Sequence, residues 1–352
     1  MKIVLNNIKI QAVSTYLPEN ILEMSSLIDL YGDKTVESII KTTGVERVRV
    51  AAQDETASDM CFIAAESLIE KENLSRNVID GIVFVSQTPD YRLPATSVVL
   101  QHRLNLSQDT VCFDISYGCS GYIYGIYQAA LLISSGSCKN VLLLAGDTTT
   151  KFINPKDRAQ RMVFGDAGSA TLITKGNSNM GFHICSDGSG FDKVIIPAGG
   201  FRMPYSEETR KEVTDSDGNT RSLEELHNDG MAVFNFIIQN GKSSINTILE
   251  YMDWNKEDVK IFALHQATSF TTNFLTKRLK IDKKVAPANI INYGNTGPAT
   301  IPLILCDMYH TQSGIDTGKW DKAILSAYGV GLSWGSIACS LSETVFYEPI
   351  NK

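Results

Sequence analysis

The strongest constraint in this 352-residue sequence is an internal repeat of about half the chain. A helical segment precedes DGIVFVSQT at residues 80–88, and another precedes VKIFALHQA at residues 259–267. The serine of the first run is followed 33 residues later by Cys119, and the histidine of the second, His265, is followed 30 residues later by Asn295. Two similar βαβ units predict two similar halves of one fold, and they bring these three residues to related strand ends, where α/β sheets bind ligands.

Short apolar runs alternate with helical stretches over the whole chain. Runs such as GIVFV at residues 81–85 and VLLLA at residues 141–145 are typical of buried strands in a parallel or mixed sheet that helices cover. The predicted class is therefore α/β. Because the chain exceeds the usual size of a single core, we predict an N-terminal half over residues 1–178, with the candidate cysteine, and a C-terminal half over residues 179–352, with the candidate histidine and asparagine.

Composition and charge argue against several classes of protein. Hydrophobic residues make up 43% of the chain and charged residues 20%, which is typical of a globular protein. The net charge of −7 provides no electrostatic footprint for nucleic acid or an anionic membrane. The seven cysteines lack CxxC spacing, and no apolar run approaches the roughly 18 residues of a membrane span. We expect a cytoplasmic protein with no nucleic-acid or membrane partner, no metal site and no permanently bound cofactor.

Cys119 lies in the run DISYGCSG, after an apolar strand and before a helical stretch. A thiol at such a turn faces the positive end of the helix dipole, which favours the thiolate. Cys119 is therefore the candidate nucleophile, although a lone cysteine is more often a small buried hydrophobe. The cysteines inside apolar runs fit that second interpretation, and they are Cys61, Cys138, Cys306 and Cys339.

His265 and Asn295 occupy comparable positions in the second half. His265 ends a strand within FALHQAT, where a neutral imidazole can act as a donor or a base. Asn295 lies in the loop NYGNTGP, where its amide can donate to a developing oxyanion, although a turn asparagine is the commoner explanation. The run YGVGLSWG follows a strand, and the backbone amides of Cys119 and Val330 are candidates for an oxyanion hole. A plain tight turn is the alternative there.

Two surface features have two interpretations each. The polar stretch at residues 197–220 is either a lid over the site or a tolerated insertion. A basic run after the His265 motif either docks an acidic carrier or forms a solvated helix face. Its members are Lys277, Arg278, Lys280, Lys283 and Lys284.

In order and spacing these motifs resemble the thiolase superfamily, and most closely the β-ketoacyl-acyl-carrier-protein synthase III family. The resemblance covers nearly the whole chain. Its segments are TYLPEN, TTGVERVRVA, DISYGCSG, FGDAGSA, ICSDGSG, HQA, YGNTGP and GVGLSWG. It implies a thiolase-like five-layer αβαβα sandwich made of two similar halves, a homodimer, and catalysis by Cys119, His265 and Asn295.

The mechanism that the resemblance implies is a decarboxylative Claisen condensation in fatty-acid or specialised acyl biosynthesis. Cys119 takes an acyl group from a thioester. His265 and Asn295 stabilise the enolate that forms as a malonyl thioester loses carbon dioxide. The implied substrates are acyl-coenzyme A and malonyl-carrier thioesters, and the implied partners are coenzyme A thioesters or an acyl carrier protein. One alternative is acyl transfer to a hydroxyl or an amine without condensation, and another is a non-catalytic partner subunit.

The resemblance also implies roles outside the catalytic trio. Arg158 corresponds to a residue near the coenzyme adenine, Leu93 to one that reaches across the dimer to the acyl pocket, and Phe234 to a substrate-binding residue. Carrier docking is implied for the basic residues Lys277, Arg278 and Lys280.

Five positions depart from the pattern of the family, and one of them is Thr268, where HQAT stands in place of HQAN. Ser38 stands in place of the tryptophan that stacks on the adenine, and Thr42 in place of an arginine. Phe270 replaces the carrier-docking arginine, and Val330 replaces a glycine beside the oxyanion hole. These departures leave open how the acyl donor is carried.

Overall fold

The computed structural model describes residues 1–311 and 320–351. None of the helices within these ranges is long and apolar enough to cross a membrane. The strands in these ranges are β1 (Lys2–Leu17), β2 (Asn20–Glu23), β3 (Arg47–Val50), β4 (Gly81–Val85), β5 (Val111–Ile115), β6 (Asn140–Asp147), β7 (Ala167–Ser186), β8 (Val194–Ile195), β9 (Val213–Thr214), β10 (Thr220–Arg221), β11 (His227–Asn228), β12 (Ile261–Leu264), β13 (Ala323–Gly329), β14 (Ser333–Cys339), β15 (Val345–Phe346) and β16 (Ile350–Asn351). The α-helices are α1 (Ile28–Tyr31), α2 (Asp33–Thr43), α3 (Ala57–Lys71), α4 (Thr96–Arg103), α5 (Gly121–Ser134), α6 (Arg158–Arg161), α7 (Gly230–Tyr251), α8 (Ser269–Leu279), α9 (Ile290–Tyr293) and α10 (Thr300–Thr311).

One continuous sheet organises the fold, and its two halves have the same pattern. The first half has the order β5-β4-β6-β7-β1, in which β4 is parallel to β5 and β6, and β7 is antiparallel to β6. The second half has the order β12-β13-β14-β7, in which β12 is parallel to β13, and β14 is antiparallel to β13. The correspondence of β4 and β6 with β12 and β13 confirms the two similar halves that the sequence repeat predicted.

Helices cover the sheet in three layers. On β4 and β6, side chains such as Val83 and Leu143 belong to the core that α5 fills, whereas Ile82 and Leu142 face α3 and α4. In the second half, α7 and α8 cover the outer face of β12 to β14, where Phe262 lies. Helices α5 and α10 lie between the two parts of the sheet and contact both. The predicted five-layer αβαβα sandwich is therefore confirmed.

The central position of α5 follows from its sequence. GYIYGIYQAALLIS contains no charged residue, and a helix that is apolar on all sides is buried on all sides. Gly125 allows the helix to approach the sheet closely, because a Cβ atom there would lie 2.5 Å from Cδ1 of Leu143. This packing holds the helix N-terminus, next to Cys119, near the carboxyl ends of the strands.

The predicted boundary between residues 178 and 179 lies inside β7. The first part of this strand pairs with β6, and its last part pairs with β14, so one strand serves both halves of the sheet. The long strand β1 pairs with β7 on both sides of the boundary. The division into two units at this position remains a prediction.

Candidate active site

Cys119, His265 and Asn295 line one cavity of about 320 Å³. Cys119 lies just before α5, His265 directly follows β12, and Asn295 lies just before α10. Cys119 and His265 therefore follow the strands β5 and β12, as the repeat predicted, whereas Asn295 lies between α9 and α10 and follows no strand in the described part of the chain. Nδ2 of Asn295 lies 4.0 Å from Sγ of Cys119.

The loop that carries Asn295 fixes the orientation of its amide. Oδ1 of Asn295 accepts a hydrogen bond from the backbone N of Gly297 at 3.0 Å. Its own backbone N donates to the carbonyl of Val163 at 2.8 Å. Gly294 makes this approach possible, because its φ is 65° and a Cβ atom there would lie 2.4 Å from the same carbonyl. With Oδ1 engaged, the amide directs a donor towards the thiol.

His265 is 1% exposed, and neither of its ring nitrogens has a hydrogen-bond partner among the described residues. Burial lowers the pKa of the imidazole to about 3, so the ring is neutral at physiological pH. Its backbone is held by hydrogen bonds to the carbonyl of Ser326 (2.8 Å) and from the hydroxyl of Tyr328 (3.1 Å). A buried polar atom without a partner is costly, so one donor and one acceptor nitrogen are available to a ligand in the cavity.

The electrostatic surroundings of Cys119 differ from the sequence prediction. Burial, followed by the negative charge of Asp147, raises the pKa of the thiol to about 12, while the hydrogen bond from Asn295 lowers it. The argument from the helix dipole predicted the opposite direction, because it did not include the loss of solvent around the buried thiol. The resting thiol is therefore protonated at neutral pH.

Asp147 is a residue of this cavity that the sequence analysis missed. It is the last residue of β6, and burial raises the pKa of its carboxyl to about 7. A Cβ atom on Gly297 would lie 3.0 Å from Oδ2, so the carboxyl lies against the loop that carries Asn295. The signal in the sequence is the aspartate that ends the otherwise apolar run VLLLAG. Its Oδ1 accepts three hydrogen bonds from the loop after β4: from Gln87 N (2.7 Å), Ser86 Oγ (2.8 Å) and Thr88 Oγ1 (3.2 Å).

The turn after β13 lies directly against the cysteine. A Cβ atom on Gly329 would lie 2.5 Å from Cβ of Cys119, so the close approach requires glycine. The next residue, Val330, lines the cavity, and its carbonyl accepts a hydrogen bond from Oγ of Ser333 at 2.6 Å. The same Ser333 hydroxyl lies 2.6 Å from Oγ of Ser120, the residue after Cys119. This hydrogen bond joins the turn after β13 to the turn that carries the cysteine. The oxyanion-hole role of the Cys119 and Val330 amides remains a prediction.

The three predicted substrate-binding residues lie in different environments. Phe234 lines the cavity, and its ring centroid lies 5.3 Å from that of Phe270. Arg158 is not among the described residues that line the cavity, and its guanidinium donates to the carbonyl of Asp217. Leu93 is 82% exposed and does not line the cavity of its own chain. Their binding roles remain predictions.

The basic residues predicted to dock a carrier lie away from the cavity. The N-terminal end of α8 borders the cavity through Thr271, and the exposed Phe270 lies at that end. At 1.5 Å per residue, the C-terminal end of α8 lies roughly 15 Å further along the helix axis. The basic residues are exposed at this far end, and they are Lys277, Arg278 and Lys280. Their docking role remains a prediction.

The polar stretch predicted at residues 197–220 belongs to a longer folded element. Strands β9 and β10 form a hairpin, and β11 pairs with β8. The end of this element lines the cavity through Leu226 and Asn228. We call residues 206–228 the cover segment.

All seven cysteines are free thiols. Cys185 is partly exposed, and its Sγ lies 3.2 Å from Nε2 of His183. In the described part of the chain, no group of three or more His, Cys, Asp or Glu residues is placed to hold a metal ion. The cysteines predicted to be buried are buried, which confirms that prediction for Cys61, Cys138, Cys306 and Cys339.

Comparisons with known proteins agree with this geometry. The model of the 3-oxoacyl-[acyl-carrier-protein (ACP)] synthase III family matches residues 113–188, and the model of its C-terminal part matches residues 249–341. A putative 3-oxoacyl-[acyl-carrier-protein] synthase 3 from Campylobacter jejuni is 34% identical over 348 residues, which cover 97% of this chain and 96% of the relative. The β-ketoacyl-[acyl-carrier-protein] synthase III of Caldanaerobacter subterraneus is 32% identical over 337 residues, with 95% and 98% covered. The crystal structure of a 3-oxoacyl-(acyl-carrier protein) synthase from Burkholderia xenovorans LB400 superimposes with a TM-score of 0.92 at 32% identity, with 100% and 99% covered.

Proposed function

Because this chain belongs to the 3-oxoacyl-[acyl-carrier-protein] synthase III family of condensing enzymes, we propose that it joins an acyl group to a malonyl thioester by decarboxylative Claisen condensation in fatty-acid biosynthesis. One observation carries the proposal. A thiol, an oriented amide donor and a neutral imidazole line the same cavity, and neither nitrogen of the imidazole has a hydrogen-bond partner in the described part of the chain. This combination suits a reaction that forms a covalent thioester and then an enolate.

Cys119 is the proposed nucleophile of the first half-reaction. Its sulfur attacks the carbonyl carbon of the acyl donor, the carbon–sulfur bond of the donor breaks, and the donor leaves as a free thiol. Because burial keeps the resting thiol protonated, its proton must leave as the new bond forms. The acceptor nitrogen of His265 is a neutral base in the same cavity. The amides of Cys119 and Val330 are the proposed donors to the oxyanion.

His265 and Asn295 are the proposed donors of the second half-reaction. They donate to the thioester oxygen of the malonyl group, and the loss of carbon dioxide leaves an enolate on that oxygen. The enolate carbon attacks the acyl carbonyl, the carbon–sulfur bond to Cys119 breaks, and the thiolate that leaves takes up a proton from the solvent. Donors held in place by the protein lower the barrier because they need no reorganisation, and the loss of one such donor typically costs on the order of 10² to 10³ in kcat.

The alternative, acyl transfer to a hydroxyl or an amine, uses only part of this site. A base that activates the acceptor is sufficient for that reaction. The amide of Asn295 has no role in acyl transfer to a hydroxyl or an amine. Its Oδ1 accepts a hydrogen bond from Gly297, and its Nδ2 is directed at Cys119. The condensing reaction uses all three side chains and is therefore the proposal.

We also propose that the enzyme is a cytoplasmic homodimer without a permanent cofactor. Within the described residues β5 is an edge strand, and Phe113 on it is 40% exposed. Exposed apolar edges and patches favour pairing with another chain. Leu93 and Phe201 are 82% and 92% exposed, and Arg92, next to Leu93, lies 5.9 Å from the ring centroid of Phe201, so these two exposed apolar side chains are carried by neighbouring loops. The free thiols suit a reducing compartment.

The experiment that tests the proposed function follows both half-reactions in one reaction mixture. The protein receives a panel of acyl thioesters and a malonyl-carrier thioester, and the readouts are the intact mass of the acyl-enzyme and the release of carbon dioxide. We expect an acyl adduct on Cys119 and carbon dioxide in a one-to-one ratio with the 3-oxoacyl product. If the adduct forms and passes to an alcohol or an amine, while no malonyl thioester loses carbon dioxide, acyl transfer without condensation is the correct function.

A further inference from the structure

Gln266 lies next to one proposed donor and contacts the segment that carries the other. It directly follows His265 and is 0% exposed. His265 and Ala267 on either side of it line the cavity, and Gln266 is not among the described residues that do so. Its side chain instead reaches the segment that precedes Asn295. The Gln266 amide is therefore placed to act on the position of Asn295 rather than on a substrate.

The amide of Gln266 makes three hydrogen bonds to the start of α9. Oε1 accepts from the backbone N atoms of Asn289 and Ile290, both at 3.1 Å, and Nε2 donates to Oδ1 of Asn289 at 2.9 Å. The first N–H groups of a helix have no partner within the helix. Asn289 is the N-cap residue of α9, but its own side chain does not cap the helix. Gln266 therefore caps α9 from a position 23 residues earlier in the chain.

The start of α9 determines where Asn295 lies. The helix ends at Tyr293, and the backbone N of Gly294 donates to the carbonyl of Ile290 at 2.8 Å. Asn295 is the next residue. A displacement of the first residues of α9 is therefore transmitted to Asn295 through a single hydrogen-bonded turn.

Asp307 on α10 fixes the same short helix from another side. Its Oδ2 accepts from Nδ2 of Asn289 at 3.1 Å, and its Oδ1 accepts from the hydroxyl of Tyr293 at 3.3 Å. Helix α10 begins at Thr300, after the loop with Asn295, so the segments before and after this loop belong to one hydrogen-bond network. A buried network whose polar atoms are paired specifies one arrangement of its members.

Other contacts hold the thiol and the imidazole. Oγ of Ser120, in the turn of the cysteine, lies 2.6 Å from Oγ of Ser333, and the backbone carbonyl of His265 accepts from the hydroxyl of Tyr328 at 3.1 Å. Neither contact includes Gln266. Loss of the Gln266 amide should therefore displace the amide of the asparagine and leave the other two groups in place.

We propose that Gln266 is a positioning residue of the decarboxylation step, because its cap on α9 sets the distance of the Asn295 amide from the His265 imidazole. The inference rests on the proposed function, in which both groups donate to one thioester oxygen. Two donors serve one oxygen only when each lies about 2.7 to 3.1 Å from it. A misplacement of about 1 Å can cost roughly 10²-fold in rate, so a residue outside the cavity is able to control this step.

Gln266→Met is the first test, because methionine has a similar length but makes none of the three hydrogen bonds. The measurements are the acyl-enzyme mass and the release of carbon dioxide, both referred to the folded fraction from near-UV circular dichroism. We expect acylation of Cys119 within about threefold of the wild type and decarboxylation at least about tenfold slower. Gln266→Glu keeps an acceptor for both backbone N atoms and should restore part of the decarboxylation.

Gln101→Met is the matched control. The Gln101 amide also bonds to the backbone of a loop, at the carbonyls of Leu106 (2.8 Å) and Ser107 (3.0 Å), and Gln101 is not among the described residues that line the cavity. This variant should leave both half-reactions unchanged. An equal loss of both half-reactions in Gln266→Met, or no loss of decarboxylation, would overturn the inference.

Two further variants separate positioning from general damage. Asn289→Ala keeps the hydrogen bonds of the α9 backbone and removes the bridge to Asp307, so it should show the same split to a smaller extent even if Gln266→Met does not fold. In the Asn295→Ala background, Gln266→Met should slow decarboxylation by less than about twofold, because the group that it positions is absent. A full tenfold loss in the double variant would mean that Gln266 does not act through Asn295, and the inference would be wrong.

Alkylation of Cys119 gives a readout that needs no malonyl thioester. The hydrogen bond from Asn295 lowers the pKa of the thiol, so a displaced amide should leave less thiolate and slow the reaction with iodoacetamide at a given pH. Gln266→Met should be slowed as Asn295→Ala is, and an unchanged rate in Gln266→Met alone would contradict the inference. Failure of the proposed function is distinguishable, because it appears as a wild type that never releases carbon dioxide from a malonyl thioester.

Discussion

The amide nitrogen of Asn295 lies 4.0 Å from the sulfur of Cys119, although 176 positions separate the two residues in the sequence. They occupy corresponding places in the two halves, since Cys119 lies just before α5 and Asn295 just before α10. These two helices form the central layer and share one core. The candidate active site therefore lies where the two halves meet, and neither half could form it alone.

Asn295→Ala should separate the two half-reactions. We expect acylation of Cys119 to stay within about threefold of the wild type, because that step relies on other donors, and decarboxylation to fall by about 10² to 10³. His265→Ala should lose decarboxylation to a similar extent and should also acylate more slowly, because the acceptor for the thiol proton is gone. The measurements are acyl-enzyme mass and carbon dioxide release. Asn292→Ala, in the helix α9 just before this loop, is the control, and an equal loss of both half-reactions in Asn295→Ala would contradict the assignment.

Limited alkylation should modify Cys119 before any other cysteine. Four of the other cysteines are buried, whereas Cys119 lines an open cavity. Cys112 and Cys185 are the competitors, because both are partly exposed. Brief treatment with iodoacetamide followed by peptide mapping makes the comparison, and prior loading with an acyl group should remove the label from Cys119 alone. Preferential labelling of Cys185 would show this prediction to be wrong.

The buried carboxyl of Asp147 predicts a dependence of stability on pH. Burial raises its pKa from 3.8 to about 7, so in this range the folded protein holds a proton that the unfolded chain has lost. The cost of burying the carboxyl is absent below pH 3.8, grows as the pH rises, and is complete above about pH 7. Asp147→Asn removes this cost. The free energy of unfolding of the variant minus that of the wild type should therefore be larger, and the variant relatively more stable, at pH 8 than at pH 5 in urea titrations. The same difference at both pH values would contradict the prediction.

The same variant tests the influence of Asp147 on the thiol. The charge of Asp147 contributes to the raised pKa of Cys119, so Asp147→Asn should accelerate alkylation of Cys119 above about pH 7 and have little effect below it. Asp307→Asn is the matched control, because burial also raises the pKa of that carboxyl, but it is not among the charges that act on Cys119. Equal acceleration in both variants would point to loosened structure rather than to charge.

Gly329→Ala should displace the nucleophile. The new Cβ atom would lie 2.5 Å from Cβ of Cys119, so one of the two turns must shift. Overpacking of this kind typically costs about 1 to 3 kcal/mol of stability. A small displacement of the sulfur should also reduce the acylation rate at least tenfold. In Gly200→Ala, the control, the new Cβ atom meets nothing within 4 Å. Acylation at the wild-type rate in Gly329→Ala would contradict the close approach.

Sedimentation at micromolar concentration should show a dimer. Leu93, which is 82% exposed in the single chain, should then border the acyl pocket of the partner subunit. Leu93→Phe should shift the preference towards shorter acyl groups in the Cys119 loading assay, because the larger side chain fills more of that pocket. Val213→Phe, at another exposed apolar position, is the control. A monomer, or an unchanged chain-length preference in Leu93→Phe, would contradict the respective claim.

Local patterns in the sequence were sufficient to predict the fold class and the positions of Cys119, His265 and Asn295. Cys119 and Asn295 lie in glycine-containing turns, and His265 ends an apolar run that is typical of a strand. Each of these patterns is complete within a few residues of the position that it identifies. Asp147 was missed because its importance comes from the loops after β4 and before α10, which are distant in sequence. The predicted direction of the shift in the Cys119 pKa was also wrong. Burial raises this pKa, and the burial depends on the residues that the second half of the chain places around the thiol.

The sequence by itself determined the α/β class, the two similar halves and the chemical types in the candidate active site, because hydrophobic periodicity and loop composition encode them within short segments. Only the tertiary structure decided that the thiol rests protonated, that the guanidinium of Arg158 is engaged by Asp217, and that the predicted docking cations lie at the far end of α8. The physical reason is that desolvation, ion pairing and access are properties of surfaces brought together from segments that are far apart in the chain, and they do not exist until the chain has folded.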